Sequence, residues 1–76
     1  MATEQELQTL FNKLDNDKDG KVSLTELFAS PGLSAIIIAD AGVSSPQELL
    51  NTYGDKDGSI TFEAFKKVVK EAGNLN

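Results

Sequence analysis

The sequence predicts an all-α fold of about four helices. Two observations lead to it: apolar residues recur at helical spacing in several stretches, and two short segments rich in Asp and Gly interrupt those stretches. The chain has 76 residues, of which 39% are hydrophobic, so there is room for one hydrophobic core. We therefore expect a single domain over residues 1–76 in which helices flank the two polar segments.

The composition excludes several classes of protein. Cysteine and histidine are absent, which rules out disulfides, zinc bound through nitrogen and sulfur, and catalysis by a Ser–His or Cys–His pair. We therefore predict that the protein is not an enzyme. The chain has 12 acidic and 7 basic residues, and its net charge of −5 argues against a nucleic-acid surface and favours basic partners or cations. Any bound metal should be a hard cation with oxygen ligands.

The sequence also lacks the usual signals of secretion and membrane insertion. Its first residues are acidic and polar, unlike the basic start of a secretory signal. The longest apolar run, residues 35–39, is too short to span a bilayer. We expect a cytoplasmic protein without membrane insertion that is a monomer when free.

The first helix is predicted to begin after Thr3. Thr3 and Glu6 have the spacing of a capping box, in which each side chain accepts a hydrogen bond from the backbone N–H of the other residue. Apolar residues follow at helical spacing and form one face over about three turns. These residues are Leu7, Leu10, Phe11 and Leu14. The helix should end at Asp15, where a run of Asp, Asn and Gly begins.

The segment after this helix has the spacing of a calcium-binding loop. Asp15, Asp17, Asp19, Gly20 and Glu26 occupy all the positions that the calcium-loop pattern specifies. Four carboxylates this close together repel one another unless a cation lies between them. Alternate residues place their oxygens around one side of a large cation, and the glycine permits a sharp turn with positive φ. This pattern is the strongest functional signal in the chain.

Residues 10–28 resemble an EF-hand of the calmodulin and troponin type. In such a hand the loop spans residues 15–26, and Glu26 is a bidentate ligand that already belongs to the next helix. Lys21 contributes its backbone carbonyl while its side chain points to solvent, and Ser23 contributes its hydroxyl or a bound water. The expected calcium ligands are Asp15, Asp17, Asp19, the Lys21 carbonyl, Ser23 and Glu26. Magnesium is a weaker competitor, since it prefers strict octahedral geometry.

A second segment, residues 55–65, looks like a degraded copy of the first. If Gly58 holds the sixth position, the second loop spans residues 53–64. Tyr53 then stands at the first position and Ala64 at the twelfth, so the opening carboxylate and the closing bidentate one are both missing. We predict that this loop binds no ion and that the chain binds one calcium.

The two hands should form one pair. The resemblance implies a first hand over about residues 3–30 and a second over about residues 45–72. Loops of this family pair through a short antiparallel bridge, and Val22 and Ile60 hold the corresponding positions. Both residues are β-branched and suit a strand. The second hand would then be a scaffold for the first.

The middle of the chain departs most from the family pattern. Pro31 disfavours helical geometry at Ser30, so the helix that leaves the first loop should be cut short or kinked there. Beyond it, residues 33–42 are predicted to form an extra helical turn or two that stops at Gly42. A strand is the alternative, since the segment contains three consecutive isoleucines. The flanking alanines and the helical fold favour the helix.

Two further helices are expected in the second half of the chain. Ser45 caps the first of them, with Pro46 in its first turn. Its apolar contacts are Leu49, Leu50 and Tyr53. The last helix runs over about residues 62–72, with lysines near its C-terminal end. Its inward residues are Phe62, Phe65, Val68 and Val69.

Three functions from different classes compete. In the first, the lobe binds a basic amphipathic helix of a target protein, as a resemblance to half of calmodulin or to a myosin light chain implies; an IQ-like neck helix of an unconventional myosin is one such target. In the second, the chain is a cytosolic calcium buffer or sensor without a dedicated target. The third, an enzyme, lacks acid–base groups that are free of the ion site. We favour the regulatory or light-chain function.

The apolar residues of the middle segment are the candidate contacts with a target. They are Leu33, Ile36, Ile37 and Ile38. The alternative is that they close the core of a small helical domain, since apolar runs are more often buried than functional. The sequence contains one methionine, whereas adaptable target grooves are rich in this residue. That scarcity favours a dedicated light chain or a buffer over a promiscuous sensor.

Overall fold

The computed structural model describes residues 2–76 and contains five helices in that part of the chain. The helices are α1 (Glu4–Leu14), α2 (Leu24–Ala29), α3 (Pro31–Ala41), α4 (Pro46–Tyr53) and α5 (Phe62–Glu71), with strands β1 (Lys21–Val22) and β2 (Ile60–Thr61) in the polar segments. The mainly helical fold is confirmed, but there are five helices where about four were expected. Within residues 2–76, no helix combines the length and the apolar character needed to cross a membrane.

Helix α1 places the first carboxylate of the first loop. The predicted capping box forms: the Glu6 backbone N–H donates to Thr3 Oγ1 over 3.1 Å, and the Thr3 N–H donates to Glu6 Oε1 over 2.9 Å. On the apolar face of the helix, Leu7, Phe11 and Leu14 are buried and Leu10 is partly buried. The backbone N–H of Asp15 donates to the Phe11 carbonyl at the last turn. Asp15 is therefore held directly against the core.

The fifth helix exists because Pro31 starts a new helix directly after the previous one ends. Proline lacks an N–H and has a φ angle suited to the first helical position, so α2 ends at Ala29 and α3 follows at once. The hydroxyl of Ser34 donates to the backbone carbonyl of Leu27 and fastens α3 to α2. Helix α3 has 11 residues, longer than the turn or two expected, and it ends at Gly42 with φ of 73°. The preference for helix over strand is confirmed.

One hydrophobic core joins residues from both halves of the chain. Its buried members are Leu7, Phe11, Leu14, Val22, Leu27, Ile37, Ala41, Leu49, Leu50, Ile60, Phe65, Val68 and Val69. Among the candidate contact residues, Ile37 is buried and Ile36 is 46% exposed, while Leu33 and Ile38 are partly buried against the core. Burial in the core therefore accounts for Ile37 and in part for Leu33 and Ile38, and contact of Ile36 with a target stays a prediction.

Tyr53 is less buried than the other two predicted apolar contacts of α4. Its side chain is 39% exposed at the end of α4, whereas Leu49 and Leu50 are buried. A tyrosine hydroxyl needs a hydrogen-bond partner when it is buried, and exposure leaves that hydroxyl to water. The fully buried part of the apolar face of α4 therefore ends at Leu50, and Tyr53 is partly exposed beyond it.

Strands β1 and β2 connect the two loops. They pair antiparallel, with Val22 opposite Ile60 and Lys21 opposite Thr61, which is the bridge that the sequence predicts. Val22 and Ile60 are 1% and 2% exposed. Because these two side chains lie in the core, the bridge holds both loops at one end of the helices.

Candidate metal centre

Four carboxylates of the first loop converge on one point. Asp15, Asp17, Asp19 and Glu26 each offer an oxygen, and these oxygens all lie within 4.8 Å of one another. Calcium binds oxygen ligands at about 2.3–2.6 Å, so opposite ligands in its shell are about 4.6–5.2 Å apart. The four oxygens therefore fit within one calcium coordination shell. Hard oxygen donors with negative charge are also the donor set that calcium prefers.

Asp15 anchors the loop at its start. It is 5% exposed, and its two oxygens accept hydrogen bonds from the backbone N–H groups of Asp19 (3.2 Å) and Gly20 (2.9 Å). These bonds bend the loop back over its own first residue. The bend requires positive φ at Gly20 (84°), as predicted, and also at Lys18 (59°), which the sequence did not indicate.

Glu26 closes the loop from the third position of α2. It is 8% exposed. Its Oε1 accepts a hydrogen bond from the Ser23 backbone N–H over 3.0 Å, and its Oε2 accepts one from the Asp17 N–H over 3.3 Å. One carboxylate thus connects the start of the loop with the helix that leaves it. Its predicted bidentate contact with calcium would use the same two oxygens.

Ser23 has a structural role that the sequence analysis missed. It is the N-cap of α2: its Oγ accepts a hydrogen bond from the Glu26 N–H over 3.2 Å, and with the bond to Glu26 Oε1 this forms a second capping box. The Ser-x-x-Glu spacing, the same signal used to place the start of α1, would have revealed it. The predicted part of Ser23 in calcium coordination stays a prediction.

Two carboxylates of the loop differ in proton affinity. Desolvation raises the pKa of Asp17, and the neighbouring charges of Asp19 and Glu26 raise it further. A hydrogen bond from the Lys21 backbone N–H (3.0 Å) lowers the pKa of Asp19. Desolvation is the largest cause of the raised pKa of Asp17, and a divalent cation at this point would relieve the smaller part that comes from repulsion by Asp19 and Glu26.

Calcium affinity is expected to fall as pH drops through the raised pKa of Asp17, because protons compete with the ion for this carboxylate. The stability of the ion-free fold should change with pH in the opposite direction. Because the pKa of Asp17 is raised in the folded state, the fold loses stability as pH rises through that pKa. Chelator competition from neutral pH down to about 4 tests the first effect. The Asp17→Asn variant should bind calcium more weakly at neutral pH, and its calcium affinity should depend less on pH. An equal slope of calcium affinity against pH in both proteins would contradict this assignment.

The sequence predicts that the Lys21 side chain points to solvent, but this side chain, although 38% exposed, forms an ion pair. Its Nζ lies 2.8 Å from Oδ2 of Asp55 in the second loop. This ion pair raises the pKa of Lys21 and lowers that of Asp55. The reason is the bridge between the strands: Lys21 is paired with Thr61, and this register brings the lysine beside the second loop.

The second loop keeps the turn of the first with fewer carboxylates. Gly58 has φ of 80°, and the Asp55 N–H donates to the Ser59 carbonyl over 2.7 Å. At the ends of the loop, Tyr53 is exposed and Ala64 has no side-chain oxygen. Among residues 2–76, the first loop is the only place where three or more acidic side chains converge as a candidate metal cluster. That the second loop binds no ion stays a prediction.

Comparison with known proteins supports the relation to EF-hands. Residues 1–30 match the family model described as an EF-hand domain pair. The chain is 41% identical over 63 residues to a mitochondrial adenyl nucleotide antiporter of Danio rerio, and 39% identical over 66 residues to that of Bos taurus. These alignments cover 82% and 84% of this chain but 13% of each antiporter. No solved structure matches the chain. The matched residues 1–30 include the whole first loop, which is thereby of the EF-hand type.

Proposed function

We propose that the chain is a paired EF-hand lobe that binds one calcium ion in its first loop, with the second hand as a scaffold. The convergence of the Asp15, Asp17, Asp19 and Glu26 oxygens supports this proposal most directly. The Lys21 carbonyl and Ser23 complete the proposed ligand set. Calcium would replace the repulsion among these carboxylates with attraction to one cation. We also propose that the protein is not an enzyme, and that it is a cytoplasmic monomer when free.

Calorimetric titration of the ion-free chain with calcium tests the stoichiometry. We expect one site, and amide NMR should place the first spectral changes in residues 15–26. A second site of comparable affinity would contradict the count of one ion. An absence of binding at millimolar calcium would contradict the whole assignment, since even weak EF-hand sites bind at about that concentration.

We further propose that the lobe binds a basic amphipathic helix of a target protein. A groove of about 530 Å³ runs between α2, α3 and α4, and it is lined mainly by apolar side chains. Phe28 in this groove is 55% exposed, the largest value among the exposed large apolar residues described, so its ring is open to an occupant of the groove. The net charge of −5 favours a basic helix as the occupant.

The groove lies close to the calcium loop in the chain. Glu26 and Phe28 both belong to the six-residue helix α2. A shift of Glu26 toward a bound ion would therefore move Phe28 as well, and calcium occupancy would change the shape of the groove. A myosin IQ-like neck helix is one basic target that the net charge of −5 favours.

Titration with a basic amphipathic peptide, with and without calcium, tests the target proposal. Phe28→Ala should weaken peptide binding about tenfold or more, as expected for a large apolar contact. Tyr53→Ala is the matched control, because Tyr53 is also an exposed aromatic residue, at the end of α4, but does not line this groove. If no basic amphipathic helix binds in either condition, the chain is better explained as a calcium buffer.

The relatives suggest a second candidate for the target. Their names describe mitochondrial adenyl nucleotide antiporters, and the likeness covers a small part of each. We propose as the alternative that this chain regulates a transporter of that kind. Calcium-dependent binding to a Danio rerio antiporter from which the matching segment has been deleted would favour this candidate over a myosin helix.

A further inference from the structure

An ammonium group of the first loop faces a carboxylate of the second. Lys21 Nζ lies 2.8 Å from Asp55 Oδ2, and the two side chains are 38% and 30% exposed. The other oxygen of this carboxylate, Oδ1, accepts hydrogen bonds from the backbone N–H groups of Asp57 (2.9 Å) and Ser59 (3.2 Å). Asp55 therefore bonds to its own loop through one oxygen and to Lys21 through the other.

The first loop has no such partner. Between residues 2 and 76, no lysine nitrogen lies within 4.0 Å of the Asp15, Asp17, Asp19 or Glu26 carboxylates. Lys18 belongs to that loop, but its Nζ donates to the Asn12 backbone carbonyl over 3.1 Å. The four clustered carboxylates of the first loop thus form no ion pair with a lysine, whereas one of the two carboxylates at the centre of the second loop, Asp55, forms an ion pair with Lys21.

We propose that the Lys21 ammonium is the built-in counter-charge of the second loop and replaces a metal ion there. This inference rests on the proposed function, in which the second loop binds no ion. The ammonium neutralises Asp55 and holds its carboxylate where Oδ1 can accept the two backbone hydrogen bonds of the turn. The second loop then keeps the shape that the β1–β2 bridge requires without an ion.

Lys21 would in this way serve both loops. Its backbone carbonyl is the proposed calcium ligand in the first loop, and its side-chain ammonium neutralises the Asp55 carboxylate in the second. The residue is opposite Thr61 in the two-stranded sheet, so its side-chain position follows from the strand register. Lys56 lies within the second loop and carries the same charge, but it is exposed and forms no ion pair among the described residues.

Lys21→Met and Lys56→Met form a matched pair for the test, because each removes one positive charge and keeps an unbranched apolar side chain. Calcium is titrated into each full-length variant and into the unaltered protein while amide NMR follows residues 55–61. In the unaltered protein and in Lys56→Met, these amides should stop changing once the first loop is saturated. In Lys21→Met a second phase should appear there, at least about tenfold weaker than the first, because two carboxylates have lost their counter-charge.

A second measurement does not depend on calcium. In excess chelator, Lys21→Met should accelerate hydrogen exchange of the Ser59 amide about two- to fivefold, the effect of losing one partly exposed ion pair. Lys56→Met should leave the exchange rate unchanged, and Lys21→Arg should restore it. If the first loop fails to bind calcium, the proposed function falls, but this measurement still decides the role of Lys21.

The results that would overturn the role of Lys21 are distinct from those that would support it. Equal behaviour of the two methionine variants in both measurements means that net charge alone matters and that the ion pair has no special part. A second calcium phase at residues 55–61 in the unaltered protein would contradict both the counter-charge role of Lys21 and the count of one ion.

Discussion

Replacing Glu26 with glutamine is expected to lower the calcium affinity about 100-fold or more. Glu26 is 8% exposed and would contribute both of its oxygens to the ion. A neutral amide has one oxygen and an NH₂ group, so one ligand and one negative charge are lost together. Removing one member of a buried, paired set of charges costs about 3–5 kcal/mol, which corresponds to a loss of that size.

The ion-free fold should survive this change. Glutamine can replace glutamate in a capping box, so the hydrogen bond that its oxygen accepts from the Ser23 N–H remains available. Calorimetry gives the affinity, and thermal unfolding in chelator reports on the fold. Glu71→Gln makes the same chemical change at the exposed end of α5 and should leave the affinity within about twofold. Unchanged affinity in the Glu26 variant would mean that the ligand assignment is wrong.

The features that the sequence predicted depend on neighbours within a few residues. The start of α1 follows from Thr3 and Glu6, three positions apart, and its end follows from the polar run at Asp15. The convergence of the acidic cluster follows in the same way, because a twelve-residue loop with its glycine at the sixth position leaves few ways to arrange the carboxylates. These features can be predicted from the sequence because all the residues that determine them lie in the same short segment.

The features that the sequence missed depend on contacts between distant segments. The strand register brings Lys21 to Asp55, which is 34 positions later in the chain, and nothing near Lys21 indicates that partner. The different exposures of the isoleucines in α3 also depend on contacts with distant segments. Ile36 and Ile37 are adjacent and chemically identical, yet one is 46% and the other 2% exposed. Only the packing of α3 against other helices decides which of them meets the core.

Packing in this core also leads to the second large effect. Phe65→Ala is expected to lower the free energy of unfolding by about 3–5 kcal/mol. The Phe65 ring is 1% exposed, and it stacks on Phe11 with a distance of 6.2 Å between ring centroids. Phe11 in turn meets the edge of Phe62 at 5.6 Å, so this aromatic cluster joins α1 to α5. Truncation would leave a cavity where these helices meet.

A loss of that size is comparable with the whole stability of a small domain that has one core, about 3–5 kcal/mol. The ion-free Phe65→Ala chain should therefore be largely unfolded at 25 °C, with a reduced helical signal in circular dichroism. Phe28→Ala is the matched control, because Phe28 is 55% exposed and its removal should cost about 0.5 kcal/mol or less. Full helical signal and an unchanged unfolding midpoint in the Phe65 variant would contradict the packing described for this core.

Calcium should restore the fold of the Phe65→Ala chain. An ion that binds only the folded state, at about 1,000 times its dissociation constant, adds about 4 kcal/mol to the free energy of unfolding. Asp15 is bonded to the core through Phe11, so a folded loop requires the helix that the truncation weakens. Helical signal that returns with calcium, and does not return when Glu26→Gln is combined with Phe65→Ala, would demonstrate that metal binding and folding of this lobe are one coupled equilibrium.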